Sequence, residues 1–227
     1  MRNRLGKMLP VLALVMVLVY PTAMGVSRML GWVYTLRSAL VYVLICLILV
    51  FATLFFTEEQ TVVGRTAALL VFLASCISGY CLHIGCESAW VSHCVLALVI
   101  VSIVLFAKTK MTWKIKIPLC ILSLYPLLLT LLMCLFSFFP IGKTTKFSSL
   151  SPNGTYMAKL SVADEGALGG STFVWVYPTA TMKQGILGQW TQEQVIYHGP
   201  WIDEDKFSFS WTDERTLLLN GNPIQIP

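Results

Sequence analysis

Residues 117–139 form a run of 23 residues without one charged side chain. As a helix rising about 1.5 Å per residue the run reaches about 35 Å, enough to cross a hydrocarbon core about 30 Å thick. A basic hinge, Lys108, Lys110, Lys114 and Lys116, precedes it. After it the chain becomes polar, aromatic-rich and strand-like to the end. This segment therefore joins two different physical objects. Composition agrees: 56% of the 227 residues are hydrophobic and 12% charged, against about 25% charged in soluble domains.

Four further apolar runs precede it. Together they predict a membrane α-helical bundle of five transmembrane helices, at about 9–26, 38–56, 66–84, 89–107 and 117–139, followed by a small all-β antiparallel domain. The short links are 28–37, 57–65, 85–88 and 108–116; the tight 85–88 link leaves open a re-entrant pair. Arg2, Arg4 and Lys7 before the first run resemble a signal peptide's basic region. The run is long for a cleaved one, and Thr22-Ala23-Met24-Gly25 makes a poor small-x-small cleavage site, so a retained helix is expected. Pro10 suits a first helical turn, whereas Pro21 is expected to kink or end the helix.

Orientation follows from Lys and Arg in the links. With the N-terminus inside, inner segments hold eight (Arg2, Arg4, Lys7, Arg65 and the hinge) and outer links two, Arg28 and Arg37. A cytoplasmic N-terminus and an odd helix count put residues 140–227 outside the cytoplasm, in a multi-pass protein of the cell membrane. The first 139 residues carry ten basic groups against three acids; the remainder carries six against eight. That asymmetry reflects topology signals at helix ends rather than a nucleic-acid footprint. All seven cysteines precede residue 140, which excludes a disulfide-stapled outer domain.

One ionisable cluster stands near a span: His83, Glu87 and His93, with Cys81, Cys86 and Cys94 between and beside them. His83 and Glu87 are four apart, a spacing that shares a helix face. Imidazole, carboxylate and thiolate suit zinc or another borderline metal. The competing reading has Glu87 in a watery turn, the histidines near the interface and cysteine as small apolar filler. No C-x-x-C or H-E-x-x-H spacing is present. Ser75 and Gly79 stand in small-xxx-small register, expected to let helices approach closely. Glu58 and Glu59 are adjacent and do not face each other on a helix. No phosphate loop, nucleophile elbow or dinucleotide fingerprint occurs, so no catalytic residue and no cofactor is expected.

In the tail, residues 140–150 are expected as a polar linker and 151–227 as an extracytoplasmic β-domain. Ser151-Pro152-Asn153-Gly154 signals a turn. Tyr156, Ala158, Leu160 and Val162 alternate with polar residues, which predicts a strand with one apolar face. Residues 172–177 are apolar on both faces and predict a central strand. Phe207, Phe209 and Trp211 alternate with serines. Asn220-Gly221-Asn222-Pro223 predicts a hairpin turn. Residues 178–192 are expected to be irregular, with Ile186, Leu187 and Trp190 an apolar patch that touches lipid headgroups or packs over the sheet. Asp203, Glu204, Asp205, Asp213 and Glu214 are oxygen ligands of the kind Ca²⁺ takes, but lack EF-hand spacing; Asp213-Glu214 reads as a turn between strands.

Ser151-Pro152-Asn153-Gly154-x-Tyr156, Gly169-Gly170-Ser171-Thr172, Trp201-x-Asp203, Trp211-x-Asp213-x-x-Thr216 and Asn220-Gly221 resemble the DUF5412 family of bacterial membrane-attached proteins. The resemblance covers about residues 147–226 and not the helices. It implies a membrane-attached domain and supplies no catalytic residues. The expected function is non-enzymatic: binding or sensing at the cell envelope, with the lipid bilayer and another membrane or envelope protein as partners and no nucleic acid. The alternatives are a transporter or metal-handling subunit using His83, Glu87 and His93, or a structural subunit of a membrane complex.

Overall fold

The computed structural model describes residues 2–55, 62–85, 89–110, 112–136, 142–164, 169–200 and 208–226. Among them are five α-helices: α1 (Arg2–Met29), α2 (Ala39–Phe55), α3 (Val62–Gly85), α4 (Ala89–Lys108) and α5 (Trp113–Phe136). Four hold stretches long and apolar enough to cross a membrane, Met8–Met29, Val62–His83, Trp90–Lys108 and Trp113–Leu132; α2 is the shorter apolar helix. The chain divides into two compact units, residues 1–26 with 36–138, and residues 27–35 with 139–227.

In the helical unit α4 packs against α2 and α3, and α3 also packs against α5. The α3 contacts are close because Gly79 lies where they meet. A Cβ there would stand 2.8 Å from Val95 Cγ1 and 2.9 Å from Thr130 Cγ2. Thr130 Oγ1 donates to Cys76 O at 2.8 Å and so ties α5 to α3 beside that approach. Small side chains at a helix crossing act in this way where lipid supplies no hydrophobic drive between helices. At the basic hinge, Lys116 is buried. Its Nζ donates to Ala107 O at 3.1 Å, covering one of the last carbonyls of α4, and stands 5.6 Å from the Phe106 ring centroid.

Pro21 does not end α1, which continues to Met29. Proline lacks the N–H that Val17 O would accept in a regular helix. The Tyr42 hydroxyl of α2 takes over. It donates towards Met16 O (2.7 Å) and Val17 O (3.1 Å) and accepts from Tyr20 N (3.3 Å). A side-chain oxygen is thus inserted into the backbone ladder, a recognised cause of a local opening in a helix.

α1 ends in a Schellman turn. Trp32 N donates to Ser27 O at 2.8 Å, Gly31 N to Arg28 O at 3.1 Å, and Gly31 has φ +74°. The chain leaves this turn directly into β1 (Val33–Leu36).

The remaining strands are β2 (Gly142–Leu150), β3 (Tyr156–Asp164), β4 (Gly170–Pro178), β5 (Lys183–Gln184), β6 (Gly188–Thr191), β7 (Gln194–Pro200), β8 (Phe209–Trp211), β9 (Thr216–Leu219) and β10 (Asn222–Gln225). They form three sheets, ordered β2-β3-β4-β7, β10-β9-β8 and β1-β6-β5; the neighbours in the first two sheets and the β5–β6 pair are antiparallel. Ala158, Leu160, Val174 and Val176 on the four-stranded sheet share one buried core with Leu217, Leu219 and Ile226. Burying each large aliphatic side chain contributes about 1.5–3 kcal/mol. β4 is central, in keeping with its two apolar faces. The β9–β10 turn is Asn220-Gly221, with both φ values positive (51° and 78°) and Leu219 opposite Asn222, the geometry that favours Asn-Gly in hairpins. Pro223 is accommodated because β10 is an edge strand.

Two expectations are corrected. Residues 142–150 are not a linker. They pair with β3 over its whole length as an edge strand, interrupted by a bulge between Thr145 and Phe147. Residues 178–192 are not irregular: β5 and β6 form a hairpin closed by Gly185 N donating to Gly188 O at 2.7 Å.

Candidate functional site

His83 is half-buried near the C-terminal end of α3. Its Nε2 lies 3.2 Å from Cys134 Sγ on α5, and its Nδ1 lies 3.3 Å from Ser92 Oγ on α4. The Cys134 thiol donates to Ser92 O at 3.8 Å. The Nε2–H tautomer of a neutral ring is consistent with all three contacts: Ser92 then donates to Nδ1, Nε2–H donates to sulfur, and the thiol donates onward to the backbone. The three groups join three helices at one end of the bundle.

His93 is exposed, its ring centroid 6.3 Å from that of Trp90. Neighbouring residues on a helix point about 100° apart, so a helix that turns Ser92 towards His83 turns His93 away. Glu87 lies outside the described residues. Among the described residues, no group of three or more His, Cys, Asp or Glu side chains is placed to hold a metal.

In the β unit the turn motif is built around Glu214. Its carboxylate accepts from Ser151 Oγ (2.5 Å), Asn153 N (2.7 Å) and Thr155 N (3.1 Å). Ser151 Oγ in turn accepts from Tyr156 N at 3.0 Å. Thr179 Oγ1 fastens the far side of the same turn to Gly154 O at 2.6 Å. The Ser151 hydroxyl and the backbone amides hold Glu214 down to about 2. Asp213 accepts from Arg215 N and Thr216 N at 2.8 and 2.9 Å, which also lowers its pKa. Both carboxylates are thus committed to ordering turns. Asp203, Glu204 and Asp205 lie outside the described residues.

The least anticipated feature is the sheet β1-β6-β5. Its first strand comes from the link between α1 and α2, and the other two come from the tail. Tyr34 is buried, and its ring centroid lies 4.8 Å from that of Trp190. Burial pushes the Tyr34 phenol up. Gly188 permits the approach: a Cβ there would collide with the Thr35 carbonyl oxygen and stand 2.8 Å from the Tyr34 ring. Lys183 Nζ lies 4.8 Å from the centroid of Trp32. Gly31 of the same link joins Tyr156, Val176, Pro178, Gln192, Glu193, Gln194 and Ile226 around a cavity of about 240 Å³. Register places Tyr156 opposite Pro178 and Val176 opposite Gln194, so these four share one sheet face. The cavity thus combines Tyr156, Val176, Pro178 and Ile226 with the carboxamides of Gln192 and Gln194 and the carboxylate of Glu193.

No family model, curated protein or solved structure matches this chain.

Proposed function

We propose that this chain is a multi-pass protein of the bacterial cell membrane that holds its β-domain on the extracytoplasmic face for binding or sensing at the envelope, with no enzymatic activity of its own. One observation carries the reading: β1, from the α1–α2 link, pairs with β6 of the tail. Two segments of one sheet occupy one side of a bilayer. The chain leaves that side after β1 and has returned to it by β2, so the crossings between them are even in number. α3, α4 and α5 are each long enough to cross. Three crossings would strand the tail on the wrong side, and parity favours α2 as the fourth. Its 17 residues reach about 26 Å, a mismatch that a slightly thinned bilayer accommodates. α1 makes the fifth. The charge of the links then favours the outside for the tail. The resemblance of residues 147–226 to the DUF5412 family belongs to the same reading. Protease added to intact spheroplasts is expected to digest the tail; digestion only after lysis overturns the proposal.

A second reading, metal handling with His83, Glu87 and His93 as the notional ligand set, is favoured by His83 Nε2 standing beside a thiol, Cys134 Sγ, since imidazole and thiolate are donor types that zinc takes. Metal bound by the purified protein and lost in His83→Ala supports it; a metal-free protein ends it.

A further inference from the structure

We propose that the β5–β6 hairpin, together with the end of α1, is a membrane-docking surface whose occupant is the phospholipid headgroup layer of the bilayer that α1 crosses. Turn tips normally carry Gly, Asn, Asp or Ser. This one carries Ile186 and Leu187 between Gly185 and Gly188, and Ile186 is 96% exposed. In water such a tip gains nothing from its apolar side chains; against lipid it gains their burial.

Chain continuity decides the occupant. Ser27–Met29 is at once the last turn of a helix apolar enough to span a membrane and part of the β unit. The Schellman turn fixes the exit, so Trp32 and β1 start at the level where that span ends. Met29 and Leu30, 88% and 68% exposed, lie at the same level. β1 pairs with β6, and β6 with β5, which places the hairpin on the same small sheet. Trp32, Trp190 and Lys183 stand at this junction, amphipathic rings and a long-stemmed cation of the kind that settles at a membrane interface. Lys183 over Trp32 and Tyr34 against Trp190 hold the set together.

The surface acts as a second foothold. α1 anchors by spanning and the hairpin tip by dipping. The inference rests on the reading above only in that α1 crosses a bilayer; it is the same whichever side the tail occupies. Its test is therefore separate from the protease test.

The full chain, reconstituted in phosphatidylethanolamine–phosphatidylglycerol vesicles, carries a benzoylphenylalanine photo-crosslinker in place of Ile186 or, as a control, of Asn222, which is exposed on the sheet remote in sequence from the hairpin. Both sites are exposed, so folding is not at stake. Mass spectrometry is expected to find lipid adducts at position 186 and few at 222. Equal yields at the two positions, absence of lipid adducts at 186, or a crosslinked dimer of the chain there in place of lipid overturns the proposal.

Discussion

At the scale of single residues, two side chains organise more structure than their neighbourhoods advertise. Tyr42 repairs the backbone that Pro21 breaks. In Tyr42→Phe the Tyr20 N–H and the Met16 and Val17 carbonyls lose their partner inside a buried contact. The expected cost is about 1–3 kcal/mol, read as a lower melting temperature of the detergent-solubilised protein, and an unchanged melt contradicts the insertion. Glu214 performs the equivalent service in the tail. Its folded pKa, about 2, lies below the ordinary carboxylate value of 4.5. A depressed pKa contributes stability that is fully present above the unfolded value and is lost as pH falls through the folded one. Melting temperature is therefore expected to drop as pH falls from about 4.5 towards 2. Glu214→Gln should flatten this part of the curve and lower the plateau at neutral pH. A mutant curve parallel to that of the wild type contradicts the assignment.

At the scale of elements, glycines mark the two tightest junctions. Gly79→Leu forces extra volume between Val95 and Thr130; overpacking of this kind costs about 1–3 kcal/mol or more. Gly188→Ala meets a carbonyl oxygen rather than a yielding side-chain end, so β1 must move away from β6. Its expected signature is local: a change in Trp190 environment as the Tyr34 ring withdraws, with the core around Leu160 and Val174 retained. Hydrogen exchange that stays slow at Gly188–Thr191 in this variant would contradict it. The same elements show what a sequence discloses. Uncharged runs, the alternation of Tyr156 to Val162 and the Asn220-Gly221 turn are local signals: the runs became helices, four of them long and apolar enough to cross a membrane, the alternation became β3 and the turn closes β9 and β10. β2 was hidden because Gly-Lys-Thr-Thr-Lys-Phe-Ser-Ser-Leu has no apolar face; an edge strand needs only backbone partners. β1 was hidden more deeply. Val33–Leu36 is four residues inside a helix link, and its partner lies more than 150 positions along the chain. The histidine cluster was legible as polar chemistry, but not its membership. Cys134 joins His83 from 51 residues away, whereas His93, close in sequence, is exposed.

At the scale of the whole molecule, the tail is not a unit by sequence position. Its four-stranded sheet and the β10-β9-β8 sheet share one core, but the β5–β6 hairpin is a two-stranded ribbon that pairs with β1. An isolated hairpin is at best marginal in water. A tail of residues 139–227 expressed alone is therefore expected to keep the core and lose the hairpin. Amide exchange should remain slow at Tyr156–Val162 and Thr172–Val176, held by registered pairing on both sides of β4. It should become fast at Lys183–Thr191, and a synthetic peptide of residues 27–36 should slow it again. The first result separates the closed core from the dependent sheet; the second assigns the dependence to β1. If the hairpin stays protected without the link, β1 rests on the tail without ordering it, and the fold then gives the α1–α2 link no hold on the cavity beside Gly31. If the peptide restores protection, the α1–α2 link orders the hairpin through one short strand, β1 paired with β6.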